Sequence, residues 1–142
     1  MRALVRPAVS VWVLMVWVLI MSVAAVSAES PLTKQDRQGP VTVAVTLMAP
    51  PITGTALKPK VVLDTHSAAL DGIAFEEAVA LRKPDGTDIV PVAVEQAEGS
   101  GHHREAVLVF PPVTEGARIQ IVVKNVGGVK ERIFAWEPPA GR

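Results

Sequence analysis

The sequence predicts an all-β protein: an antiparallel, immunoglobulin-like two-sheet sandwich of about seven strands, behind an N-terminal signal peptide. Three observations carry this. Apolar and polar residues alternate with a period of two in several short runs. Proline and glycine clusters separate those runs at spacings of about 8–12 residues, the rhythm of a sandwich. Nowhere after the leader do apolar residues recur at helical spacing for three turns. A small open barrel is the alternative way to arrange the same strands.

The first segment, "MRALVRPAVSVWVLMVWVLIMSVAAVSAES", has two arginines and no acid before an apolar stretch from Val9 to Val26. Small residues follow, ending Val26-Ser27-Ala28, the layout of a secretory leader cut after Ala28. The rival is a retained anchor, because a stretch of about 18 residues is near the lower limit for spanning a bilayer. Residues 29–40, with the polar run Pro31 to Pro40, are expected as a flexible linker. The domain should then run over residues 41–137, with residues 138–142 as a tail.

In "VTVAVTLM", Val41, Val43, Val45 and Leu47 share one face and Thr42, Ala44 and Thr46 the other, as a half-buried strand requires. "APPITG" ends it, since proline cannot continue a ladder. Lys60 to Thr65 is the second strand. "SAALDGIAFEEA" holds at most one helical turn before a third strand from Glu76 to Arg82. "KPDG" then places proline second and glycine fourth, as a type I turn prefers. The returning "TDIVPVAVEQ" contains Pro91 and so reads as an edge strand or a bulge. "AVLVF" is the fifth strand, closed by Pro111 and Pro112. "RIQIVVKN" and "KERIFAW" are the sixth and seventh, joined by "VGGV", whose glycines suit the positive φ angles of a tight hairpin.

Composition narrows the chemistry. The chain has no cysteine, so an exported product has no disulfide, thiol nucleophile or thiolate metal site. Without Arg2 and Arg6, twelve of the 14 Lys and Arg face 14 Asp and Glu, a net charge of −2. No basic patch stands out, which argues against nucleic acid as a partner.

Strand parity indicates where to look for a site. If successive strands run antiparallel, the loops after the second, fourth and sixth strands gather at one end. Those loops hold "THSAALDG", "AEGSGHHR" and "NVGG", and so all three histidines, His66, His102 and His103. In an immunoglobulin-like order the second and fifth strands pair, which sets "VVLDTH" beside "HHREAV". Three imidazoles from two segments are candidates for copper or zinc, with Asp64 or Asp71 as fourth ligand or hydrogen-bond acceptor. Adjacent strand residues diverge, however, so His102 and His103 can share a metal only if the chain turns between them.

The alternative use of these side chains is to tie loops together. Arg104, beside two histidines, suits an anionic ligand such as a carboxylate. Arg104, Glu105, Glu131 and Arg132 are otherwise expected as solvated charges at strand ends. Phe134 and Trp136 are expected in the core near the other end. "LDTHS" sets Asp64, Thr65, His66 and Ser67 in succession, but a nucleophilic triad needs side chains converging from separate segments.

The order "VVLDTHS...LD", "GHHREAVLVF", "VGGVKERIFAW" resembles a group of uncharacterised small exported bacterial β-sandwich domains, over about Val41 to Trp136. In that group the segments matching Asp64–Ser67, Gly101–Arg104 and Gly127–Arg132 form the signature. The resemblance implies the domain limits and the importance of these loops, and no activity.

The functional expectation is a periplasmic or extracellular, non-enzymatic binding or accessory module without a cofactor. It would meet a small ligand or protein partner through the end bearing Asp64, His66, His102, His103 and Arg104. Membrane contact is expected only through the leader, if it stays uncut. The alternative is a periplasmic copper- or zinc-handling protein using His66, His102 and His103.

Overall fold

A computed structural model describes residues 32–138. The leader and most of the C-terminal tail lie outside the described residues. The strands are β1 Thr33–Asp36, β2 Val41–Leu47, β3 Ala56–Leu57, β4 Pro59–Thr65, β5 Val79–Arg82, β6 Asp88–Ile89, β7 Ala93–Ser100, β8 His103–Pro112, β9 Ile119–Val126 and β10 Val129–Trp136. One helical turn, α1 Phe75–Ala78, precedes β5.

Two antiparallel sheets form a sandwich. One runs β1-β2-β4-β8, with β7 also on β8 and β3 extending β4 along β8; the other runs β10-β9-β5-β6. Leaving β1 and β3 aside, this is the ABED and GFC arrangement of an immunoglobulin-type sandwich with a short C′ strand. No strand pairing joins the two sheets among the described residues, so the barrel alternative does not hold.

The period-two pattern works as the sequence implied. In β2, Val41, Val43, Val45 and Leu47 are buried while the residues between them are half-buried. Val61 and Leu63 of β4, Leu108 and Phe110 of β8, and Ile119, Ile121 and Val123 of β9 join them in one core. At about 25 cal/mol per Å² of apolar surface removed from water, such a core is the main stabilising term for a chain without disulfides.

Four local expectations change. The linker contains β1, which pairs with β2 from Thr33↔Thr46 to Asp36↔Val43. The third strand begins at Val79 rather than Glu76, because Phe75–Ala78 closes a helical turn that buries Phe75. The fourth predicted strand is two: Asp88–Ile89 belongs to one sheet and Ala93–Ser100 to the other, and the chain crosses between them at Val90-Pro91-Val92. Proline, with no N–H to give, stands where the ladder changes sheets. Arg132 is the fourth: it shares the inward face of β10 with Phe134 and Trp136 and is 1% exposed, not solvated.

The turns follow their chemistry. Gly86 donates to the Lys83 carbonyl at 2.9 Å, as a type I turn requires, and Asp85 Oδ1 accepts the Thr87 N–H at 2.9 Å. Gly127 and Gly128, at φ +60° and +75°, make the two-residue turn between β9 and β10.

Candidate functional site

The end suspected from strand parity is a single assembly. Thr65 at the end of β4 pairs with Val41 at the start of β2, and Asp64 pairs with His103 at the start of β8. The Gly127 turn lies against Val41, so the "NVGG" loop arrives at the same end. β7 and β8 form a hairpin in which Ser100 pairs with His103, leaving Gly101 and His102 as a two-residue turn. Gly101 has φ +64°, as the first central position of a II′-type turn demands. The stretch "GSGHH" is therefore mostly strand, and only Gly101-His102 is loop.

The loop from His66 to Ala74 folds over this turn and is fastened to it. Leu70 N–H donates to Gly101 O at 3.0 Å, and Gly101 N–H donates to Asp71 Oδ1 at 2.9 Å. His102 Nδ1 lies 3.1 Å from Ala68 O. Arg104 Nη1 donates to the carbonyls of Leu70 at 2.9 Å and Ile73 at 2.6 Å, and its guanidinium lies 5.0 Å from the Phe75 ring centre. Thr65 Oγ1 donates to Pro40 O at 2.7 Å and accepts the N–H groups of Ser67 and Ala68. Thr65 thus anchors the loop from a buried position.

The three histidines have separate surroundings. His102 reaches a loop carbonyl, while His103 stands on the outer face of its sheet with Nδ1 2.5 Å from Asp64 Oδ1. His66 is exposed, and its ring makes no hydrogen bond or ion pair among the described residues. Backbone proximity is real, since Thr65 N–H donates to His102 O at 2.9 Å. It does not assemble a metal-ligating cluster: among the described residues no three His, Asp or Glu side chains are grouped to hold a metal ion. Strand alternation sends His103 onto the sheet face while the turn directs His102 toward the loop.

Asp64 is accordingly the partner of His103. Arg104 spends Nη1 on two loop carbonyls, so the anion-binding expectation meets a guanidinium already built into the loop.

A row across the sheet face was not anticipated. Ser100, His103, Asp64 and Thr42 are successive cross-strand partners on β7, β8, β4 and β2, so their side chains share one face. Serine, histidine and aspartate side by side invite comparison with a hydrolytic triad. His103 Nε2, the nitrogen that would take the serine proton, instead lies 3.6 Å from Glu105 Oε2, and Glu105 in turn pairs with Lys60 at 2.8 Å. The hydrogen bond that the ring donates to Asp64, reinforced by the charges of Asp64 and Glu105, raises the His103 pKa above its ordinary value despite some desolvation. Lys60 does the reverse for Glu105, whose pKa it lowers. Pairing of the second and fifth predicted strands was the signal that could have joined Asp64 to His103.

The opposite end carries several clefts among the described residues. One, of about 220 Å³, is lined by Met48, Pro50, Pro51, Ile52, Leu57 and neighbours. A second, of about 180 Å³, lies between Pro50-Pro51 and Trp136-Glu137-Pro138. Trp136 Nε1 is buried there without a hydrogen-bond partner among the described residues, a cost of about 1–3 kcal/mol. A third, of about 270 Å³, runs between Leu81, Ile89, Pro111 and Arg118. None of the histidines lines any of the three. The chain matches no protein-family model, no curated protein and no solved structure.

Proposed function

We infer that this is an exported, non-enzymatic β-sandwich that acts as a binding or accessory module, presenting the fastened His66–Ala74 loop and the Gly101-His102 turn to a ligand or protein partner. One observation carries the reading. Polar side chains gathered at this end hold two loops in one fixed arrangement, and His66 stands exposed on that loop with no ring hydrogen bond among the described residues. A loop end pre-ordered in this way gives up little conformational entropy on binding. The sequence resemblance points to the same three segments, "LDTHS", "GHHR" and "VGGVKER". The engagement of His103 Nε2 by Glu105 on an open sheet face weighs against hydrolytic chemistry.

A photo-crosslinking amino acid placed at His66 in the exporting cell tests the reading, with Val62 on the sheet face as control. A discrete adduct from position 66 alone is expected; equal adducts from both positions, or none, would overturn it. Calorimetric titration with micromolar Cu²⁺ and Zn²⁺ tests the metal-handling alternative, and no heat of binding is expected. Heat of binding and a rise in Tm, both abolished by His66→Ala and His102→Ala, would replace this proposal with that one.

A further inference from the structure

The end opposite the histidines combines three features that the binding reading leaves unused. First, the loop after β2 exposes large apolar side chains at its tip: Met48 is 56% and Ile52 is 58% exposed, flanking Pro50-Pro51. A shallow hollow lined by apolar atoms of Met48, Pro50, Pro51, Ile52 and Leu57 sits between them. Lone exposed apolar residues are ordinary, but a loop tip made of them marks a contact surface. Secondly, two cations of this end are paired, Lys58 with Glu95 and Arg118 with Glu137, which limits the charge beside the tip.

The third feature is where the chain enters. Leu47 N–H donates to Leu32 O at 2.9 Å, and Thr33 pairs with Thr46, so the fold begins beside Met48. Because β1 occupies much of the expected linker, only Ser27 to Pro31 separate the apolar stretch Val9–Val26 from Leu32. Fully extended, those five residues reach at most about 18 Å. That is less than the length of β2, whose seven residues span about 23 Å between the two ends of the sandwich. A membrane holding Val9–Val26 would therefore lie within reach of this end and short of the histidine loops.

We propose that this end faces a lipid bilayer: the apolar stretch is retained as an anchor, and Met48 and Ile52 enter the interfacial layer while the histidine loops point away from it. The contact is apolar rather than electrostatic, so vesicle charge and salt should have little influence on it. The proposal rests on the export reading but not on what the histidine loops bind.

The absence of cysteine makes the test direct, since one introduced cysteine is the only thiol. Full-length chains carrying Met48→Cys, Ile52→Cys or His66→Cys are labelled with an environment-sensitive fluorophore and reconstituted into phosphatidylcholine vesicles containing spin-labelled lipids. All three sites are exposed, and an unchanged thermal melt verifies each fold. The expected result is blue-shifted, lipid-quenched emission at positions 48 and 52, insensitive to 0.5 M salt, and water-like emission at position 66. Water-like emission at all three, or equal quenching at 66, would overturn the proposal. Mass determination of the N-terminus of chain recovered from cells is the second arm, and a protein beginning at Glu29 would also overturn it. Recovery from the cytosol would sink export itself, whereas wet labels on a membrane-held chain sink only the docking.

Discussion

Arg132 shows how much one residue holds together. Its side chain is fully buried, with Nε on Asp36 at 3.0 Å, Nη1 on Val126 O at 2.8 Å, and Nη2 on Gln38 O at 2.6 Å and Val41 O at 3.2 Å. It thereby joins β1, the start of β2 and the β9–β10 hairpin. Burial pushes the Asp36 pKa up, but the Gln38 N–H and side-chain amide and Arg132 outweigh that and leave it below the ordinary carboxylate range. Arg132→Met should cost about 3–5 kcal/mol in urea unfolding, because it strands Asp36 and three carbonyls. Wild-type stability in that variant would refute the role. The period-two pattern of "RIFAW" already placed Arg132 on the face of Phe134 and Trp136, and the habit of reading arginine as solvated masked it. His103 makes a second residue-scale prediction. Its pKa is raised in the fold, so the stabilisation from the charged pair is complete below about pH 6.5 and fades as pH rises through the folded value. With both side chains 54% exposed, the effect should stay below about 1 kcal/mol. NMR titration of the imidazole should give a midpoint above that of a free histidine, returning toward it in Asp64→Asn.

At the scale of elements, the hairpins were legible where the turn chemistry is local and obscure where it depends on another strand. "KPDG" and "VGGV" announced their turns, and "VTVAVTL" announced its buried face, because proline, glycine and period-two alternation each act within a few residues. Thr33–Asp36 gave no such sign, since a four-residue polar strand exists only through its pairing with β2. The Gly99-Ser100 stretch was read as loop for the converse reason: β8 holds it extended, across an irregularity at Glu95–Glu98 in which Gln96 takes φ +48°. Glycine is nevertheless required there. At φ +84°, a Cβ on Gly99 would stand 2.2 Å from His103 O, a backbone atom that cannot move aside without breaking the hairpin. Gly99→Ala should therefore cost at least about 3 kcal/mol. Gly101→Ala meets nothing within 4 Å and should show only the left-handed backbone penalty of about 1–2 kcal/mol. The same contrast separates Gly127, whose Cβ would lie 2.7 Å from Val41 Cγ2, from the open Gly128. Thermal melts of the four variants should rank them this way, and equal losses at 99 and 101 would show that the close approach does not matter.

For the whole molecule, the question is what makes the sandwich start at residue 32 rather than 41. β1 lies along the outer edge of β2 and reaches the other sheet through Asp36 on Arg132 and Lys34, whose ammonium lies 5.9 Å from the Trp136 ring centre. It therefore covers an edge and tethers two sheets that share no ladder. Deleting it does two separable things. The edge of β2 becomes free to pair with another chain. Arg132 also loses Asp36 and the Gln38 carbonyl, which leaves its charge without its counter-charge. A chain of residues 40–142 should be less stable than residues 29–142 by about 3 kcal/mol or more, and light scattering should show a dimer or larger species as concentration rises. Arg132→Met placed in the shortened chain separates the two causes. It should recover part of the lost stability, because it removes the stranded charge, and should leave self-association unchanged, because the edge is still bare. Unfolding midpoints that agree between the 40–142 and 29–142 chains would mean that β1 is an ornament and that the sandwich closes without it.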